Sequence, residues 1–265
     1  MAAPLAAWLA SVGGRLLAGV AELGGIIMFL GRVAAAAGRP PWRPRLLLQQ
    51  AEFVGFGSLF IVSLTGLFTG AVFTLQSVGA LGKVGMESMV GSMVWLATSR
   101  ELGPVLSSLM VCGRVGSAMA TELGTMRVSE QIDAMEVMAV DPLQYLVWPR
   151  LAAAALMMPC MCIIFDLVAA VGGYVVAVVA MGIDEGAYIS RITWFVGMGD
   201  FLQGMVKSAV FGVTIATIGC FKGFFAHGGA RGVGHATTQT VVLGSIAIFC
   251  VDYLMTSMFL RLWPL

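Results

Sequence analysis

Long apolar runs alternate with short polar joints along this chain. Five of the runs are long enough to cross about 30 Å of hydrocarbon at 1.5 Å of helical rise per residue. They lie near residues 54–78, 89–119, 147–181, 201–226 and 237–262. The second and third exceed a minimal span and are expected to tilt, kink or project beyond the bilayer. Ahead of them, Leu16–Leu30 is apolar except for Glu22 and is bracketed by Arg15 and Arg32. A run of about fifteen residues is short for a crossing and fits a helix lying in the interface; a sixth span is the alternative. The start lacks a convincing charged n-region and small-residue cleavage pattern, so a cleaved signal is not expected. Gly38–Arg45 then reads as a stiff basic linker whose Trp42 suits a membrane surface.

Composition agrees with a life in lipid. Apolar residues make up 59% of the chain and charged ones 11%, with a mean hydropathy of +0.93; soluble domains carry about 25% charged residues. A net charge of +1 argues against nucleic acid as a partner. The distribution of cations carries topology instead. With five spans and the N-terminus inside, ten Lys and Arg fall on the cytoplasmic side and Lys83, Arg191 and Arg261 fall outside, which meets the positive-inside bias. The C-terminus then lies outside the cytoplasm. Cys112, Cys160, Cys162, Cys220 and Cys250 sit in apolar runs without zinc-type spacing and read as buried structural thiols.

The sharpest feature is Arg100-Glu101-Leu102-Gly103-Pro104 inside the second span. Charges at that depth are expensive and mark pathways or relays more often than simple packing. Pro104 has no amide hydrogen for the Arg100 carbonyl, so the helix should break at the pair and present that carbonyl to a cavity. Lys207 and Asp252 lie roughly 9 and 15 Å deep in the fourth and fifth spans, close enough to pair with each other or to serve a ligand phosphate. Asp166 is also deep, and a hydrogen bond to a neighbouring helix would satisfy it. Eighteen methionines could line an adaptable apolar cavity.

Residues 124–142 form the most helix-like polar stretch. Glu130, Asp133 and Glu136 share one arc, while Ile132, Ala134, Met135, Met138 and Ala139 take the other, and Asp141-Pro142 ends the segment. Such a helix either docks on another protein or lies on its own bundle. Gly116, Ala120 and Gly124 make a small-residue track for close helix contact, internal or across a dimer. The glycine-rich turn at 228–238, with Thr237 or Thr238 as a candidate cap, lacks the G-x-x-x-x-G-K-[ST] pattern, so the chain is no P-loop ATPase. His227 and His235 have no partners at metal-ligand spacing, and no nucleophile triad or paired-carboxylate site emerges.

These residues resemble the MlaE-type permeases, membrane subunits of bacterial ATP-binding-cassette systems that move phospholipids with MCE-domain proteins. The resemblance rests on Arg100–Pro104, Gly113-Arg114-Val115-Gly116-Ser117-Ala118, Glu130-Gln131-Ile132-Asp133-Ala134-Met135, Ala139–Pro142, Gly232-Val233-Gly234 and Ala236-Thr237-Thr238, and runs from about Leu46 to the C-terminus. It implies an all-α polytopic membrane protein in the bacterial inner membrane. Residues 1–45 would be an interfacial helix and linker, and 46–265 a five-helix permease domain. A coupling helix near 125–141 would bear Glu130, Asp133, Met135 and Glu136 toward the ATPase. Arg100, Glu101, Lys207 and Asp252 would line or support the lipid pathway, with the helix break at Gly103 and Pro104. The implied partners are a second copy, cytoplasmic ATPase subunits, a periplasmic MCE-domain protein of the MlaD type and a STAS-domain subunit of the MlaB type. The chain itself would hold no cofactor, ATP and Mg being bound by the ATPase. His235 and Gln239 depart from the pattern, standing where some relatives carry Arg. The competing readings are an ion-coupled secondary transporter using Arg100, Glu101 and Asp252 as a relay, and a non-transporting scaffold.

Overall fold

The computed structural model describes residues 2–38 and 43–262; residues 39–42 of the basic linker, Trp42 among them, lie outside the described residues. Among the described residues eight helices form: α1 (Ala2–Ala37), α2 (Pro44–Val84), α3 (Glu87–Val128), α4 (Gln131–Val137), α5 (Leu143–Ala180), α6 (Glu185–Phe195), α7 (Met198–Phe224) and α8 (Gly229–Leu262). No strand occurs among the described residues. The five expected spans correspond to α2, α3, α5, α7 and α8, each beginning or ending beyond the apolar run that revealed it. Their outward faces carry exposed Phe60, Phe68, Leu156, Val171, Ile246 and Tyr253. Helices apolar on all sides fit a lipid surround.

In α1, Leu17–Ala37 is long and apolar enough to cross a membrane, so by length and composition six helices qualify rather than five. The packing of α1 is confined to one end of the bundle, the end carrying α4. Phe29 stacks among Phe221, Phe224 and Phe225, and Glu22 pairs with Lys222.

Helix α5 runs through the middle, against α2 on one side and α7 on another, and α7 in turn packs on α3 and α8. Small residues set these distances. A Cβ at Gly66 or Gly70 would run into the backbone of Phe165 or Ala169, and one at Gly172 into Leu67. The Gly116–Ala120 track meets Gly219 and Gly223 of α7 in the same way, so that contact is internal. Met119, Met158 and Met161 fill the buried core with Phe165 and Val115 rather than lining an open cavity.

The connections differ from expectation in three places. The stretch read as one helix over 125–141 is two pieces: α3 continues to Val128, Glu130 turns through a left-handed conformation (φ 59°), and only Gln131–Val137 is α4, before Ala139 turns again at φ 57°. Asp141 accepts from the Leu143 amide at 2.9 Å and so opens α5 with Pro142. The glycine-rich turn is confined to Gly228 and Gly229; Thr237 and Thr238 lie inside α8, donating back to Val233 and Gly234 rather than capping. Helix α6, at the opposite end, went unread although Asp184 caps it through the Ala187 amide at 2.8 Å. Three cysteines are buried as expected, while Cys160 and Cys250 face outward.

Candidate functional site

The break in α3 takes the form of a wide, π-helical turn at Thr98–Leu102, in which the Gly103 amide donates to the Thr98 carbonyl. Such turns arise where a residue cannot continue the ordinary ladder and recur at functional sites. Pro104 leaves two carbonyls without their usual partners. The Arg100 oxygen is taken by Lys207 of α7, whose Nζ lies 3.2 Å away. The Ser99 oxygen faces Gly204 of α7, which approaches closely because it has no side chain. The freed Arg100 carbonyl is therefore held by a cation from the next helix instead of opening into a cavity.

Lys207 is 0% exposed and is the hub of the site. Its ammonium donates to Glu101 Oε2 at 2.8 Å and Thr256 Oγ1 at 2.7 Å, and pairs with Asp252 Oδ1 at 3.0 Å. Thr256 Oγ1 in turn donates a hydrogen bond to Glu101 Oε1 at 3.3 Å. The three ammonium protons serve Glu101, Thr256 and the Arg100 carbonyl, with Asp252 held by charge alone. Of the two partners expected for Lys207, Asp252 or a ligand phosphate, Asp252 is the one it meets here.

Arg100 turns the other way. Its Nε and Nη2 reach Asp200 Oδ1 at 2.8 and 2.5 Å, while Asp200 Oδ2 accepts from the Gly197 amide at 2.9 Å in the first turn of α7. Adjacent residues of one helix so serve two separate ion pairs, as their divergence of about 100° requires. Sequence reasoning missed Asp200 and Thr256. The signal for Asp200 was a capping pattern, Gly197-x-x-Asp200, at a helix start that favours an acid.

Arg100, Glu101, Asp200, Gln203 and Thr256 line a cavity of about 150 Å³ whose remaining walls include Leu202, Val206 and Phe259. No methionine lines it. The charges number two cations, Arg100 and Lys207, against three carboxylates, Glu101, Asp200 and Asp252. Glu101 is the most accessible of the paired groups, with its side chain 41% exposed against 20% for Arg100. Behind the break, Gly103 lies against Asp166, whose Oδ1 would be struck by any Cβ there. Asp166 receives only a long contact from Cys162 of its own helix, at 3.8 Å, and its Oδ1 has no partner among the described residues, so the neighbouring helix expected to satisfy it does not.

At the α4 end the expected coupling residues separate. Asp133 is paired with Arg127 at 2.5 Å, Met135 packs half-buried on the core and Ile132 is fully buried. Glu130 and Glu136 stay exposed beside Val137, which is 88% exposed, and Met138. The presented knob is thus two acids with two apolar side chains. His235 lies 2.9 Å from Gln239, which also accepts from Lys222 at 2.7 Å, and no metal-ligand cluster occurs among the described residues.

A bundle of long apolar helices, one of them broken beside a charged interior, is that of a polytopic membrane protein. The chain belongs to the MlaE permease family, whose model, described as Permease MlaE, matches residues 47–258. It is 41% identical over 251 residues to a probable ABC transporter permease protein of Rickettsia felis, covering 95% of this chain and 97% of that protein. It is 36% identical over 229 residues to the intermembrane phospholipid transport system permease protein MlaE of Haemophilus influenzae, covering 84% and 87%. It is 38% identical over 224 residues to the chloroplastic protein TRIGALACTOSYLDIACYLGLYCEROL 1 of Arabidopsis thaliana, covering 84% and 63%. The chain is an ABC transporter permease.

Proposed function

We propose that this permease moves phospholipid across or out of the bacterial inner membrane, powered by a separate ATPase and handing lipid to a periplasmic MCE-domain carrier. The observation that carries the reading is the charged cluster at the break of α3. Arg100 and Glu101 line a cavity whose walls include Leu202, Val206 and Phe259, and Glu101 is held by a lysine that has no free proton. Arg100 supplies a guanidinium for a phosphodiester, taking it from Asp200 when lipid enters, and Glu101 faces the same space with opposite charge. Lys207 acts as a strut, fixing Glu101, Asp252 and the Arg100 carbonyl. A volume of about 150 Å³ suits a headgroup and not two acyl chains, since pockets for drug-sized ligands already run to about 300–1,000 Å³. A second copy is needed to complete the wall, which supports a homodimer. The Haemophilus influenzae relative's name supports the substrate class.

The chain has no phosphate-binding loop, so energy enters through a partner. The α4 knob, with exposed Glu130, Glu136, Val137 and Met138, is the surface offered to an ATPase. That end, with α1, then faces the cytoplasm, and α6 faces the periplasm. Affinity purification from native membranes in mild detergent, with mass spectrometry of proteins and extracted lipids, tests the reading. The expected result is a P-loop subunit and phospholipid in constant ratio to the permease. Recovery of the folded permease without an ATPase, or with no lipid beyond that of an unrelated membrane protein, overturns it.

A further inference from the structure

One cation in the bundle lacks the carboxylate partner that the other partly buried cations have. Arg100, Arg127, Arg150, Lys207 and Lys222 each hold a carboxylate: Asp200, Asp133, Glu122, Glu101 with Asp252, and Glu22. Arg114 of α3, half-buried against α2, holds none among the described residues. Its Nη1 donates to the Phe53 carbonyl at 3.2 Å and to Ser58 Oγ at 3.1 Å, and the guanidinium lies over the Phe53 ring, 5.3 Å from its centre. Its Nε and Nη2 have no acceptor among the described residues. Of the carboxylates on the elements it touches, Glu52 of α2 is exposed and unpaired with it, and Glu122 of α3 is engaged by Arg150.

The site is shaped for this guanidinium. Helix α2 tightens into a 3-10 turn at Phe56–Ser58, and a Cβ on Gly57 would land on the Arg114 guanidinium. The missing side chain lets the charge lie on α2 among Phe53, Gly57 and Ser58, with exposed Phe56 next to Gly57 and exposed Phe60 three residues on. The depth is equally specific. Pro44–Gly55 carries Arg45, Gln49, Gln50 and Glu52, whereas Phe56–Leu81 carries no charge, so Gly57 marks where α2 passes from polar to hydrocarbon surroundings. That boundary is the headgroup level of the leaflet at the α4 end.

We infer that Arg114, lying across Gly57, binds the phosphodiester of a phospholipid from the leaflet at the α4 end. Nε–H and Nη2–H offer the parallel pair of donors that fits two phosphate oxygens, and Phe56 and Phe60 lie alongside the upper acyl chains. The site stands fourteen residues from Arg100 along α3, about 20 Å at helical rise, and is separate from the cavity there. It requires only that the chain sits in a bilayer and is independent of what is transported.

The test uses the full-length protein with its co-purifying partners in nanodiscs of phosphatidylglycerol, without nucleotide. A trace of phosphatidylglycerol with a photoactivatable group near the headgroup is crosslinked, and labelling of the peptide spanning Phe56–Phe60 is quantified. A diacylglycerol with the same group, and free inorganic phosphate as competitor, are run in parallel. Arg114→Gln keeps a donor for Phe53 and Ser58 but removes the charge, and should lower labelling roughly fivefold or more. Gly57→Ala, which displaces the guanidinium, should do the same and decides the matter should Arg114→Gln fail to fold. The diacylglycerol should label weakly, and inorganic phosphate should not compete. Labelling unchanged in the folded variants, equal labelling by diacylglycerol, suppression by free phosphate, or protection of the site by a partner protein's carboxylate would each overturn the assignment. Because labelling is read without ATP or transport, its failure and the failure of the transport reading are distinguishable.

Discussion

Replacing Lys207 with Met removes the one group that joins three helices at the break in α3. The substitution leaves Asp252 (19% exposed), Glu101 (41% exposed) and the Arg100 carbonyl without the cation they share. Breaking a buried ion pair by deleting one partner costs about 3–5 kcal/mol, because the remaining charge is left in a poorly solvated site. Glu101 keeps access to water and contributes little of this, so Asp252 and the orphaned carbonyl carry most of the loss. For a chain of this size each kcal/mol moves the melting temperature by about 2–4 °C, which places the expected drop at roughly 6–20 °C. The assay is thermal unfolding of the purified protein in detergent, followed by the monodisperse fraction on size exclusion. Lys207→Met combined with Asp252→Asn and Glu101→Gln should recover most of the loss, since no uncompensated charge remains, yet should not restore transport. A Lys207→Met protein melting within about 2 °C of the parent, or a triple variant no more stable than the single one, would refute the hub assignment.

Three further outcomes follow from the same geometry. Pro104→Ala restores an amide to the Arg100 carbonyl, competes with Lys207 and favours an ordinary helical turn; insertion and assembly should be normal and lipid transport poor, and unimpaired transport would count against the break. Gly103→Ala should cost about 1–3 kcal/mol by driving a methyl into Asp166 and against the Thr98 carbonyl, and Asp166→Ala in the same chain should relieve the larger, Asp166 part of it, which a double-mutant cycle on melting temperature reads directly. Reversing charge at Glu130, Asp133 and Glu136 together should weaken ATPase co-purification, with most of the effect from the exposed pair Glu130 and Glu136; unchanged co-purification and ATPase stimulation would sink that docking surface.

The membrane class and the five spans after α1 were legible because length and apolarity are local properties of a run. The break at Pro104 was legible for the same reason, since the missing amide follows from one residue type. What the sequence could not supply was the partner in space. Arg100 was expected to face a cavity through its carbonyl, but Lys207, 107 residues away, reaches that oxygen. Asp200 was passed over because it sits near a helix start, where acids are common, and only the fold brings it to Arg100. The segment over 125–141 was read as one helix because its periodicity persists across Ser129 and Glu130. The left-handed turn at Glu130 has no strong residue signal, since glycine or asparagine would ordinarily mark it.

The central claim is that Arg100 at the helix break handles the phosphate of a transported lipid. Its direct test is ATP-dependent phospholipid transfer from proteoliposomes containing the permease with its co-purifying ATPase and carrier, comparing the parent with Arg100→Gln and Asp200→Asn after equal assembly has been verified. The account predicts that Arg100→Gln loses transfer while Asp200→Asn, which leaves the guanidinium but frees it from its resting partner, retains transfer with altered lipid retention. Transfer by a well-assembled Arg100→Gln protein at the parent rate would contradict the account.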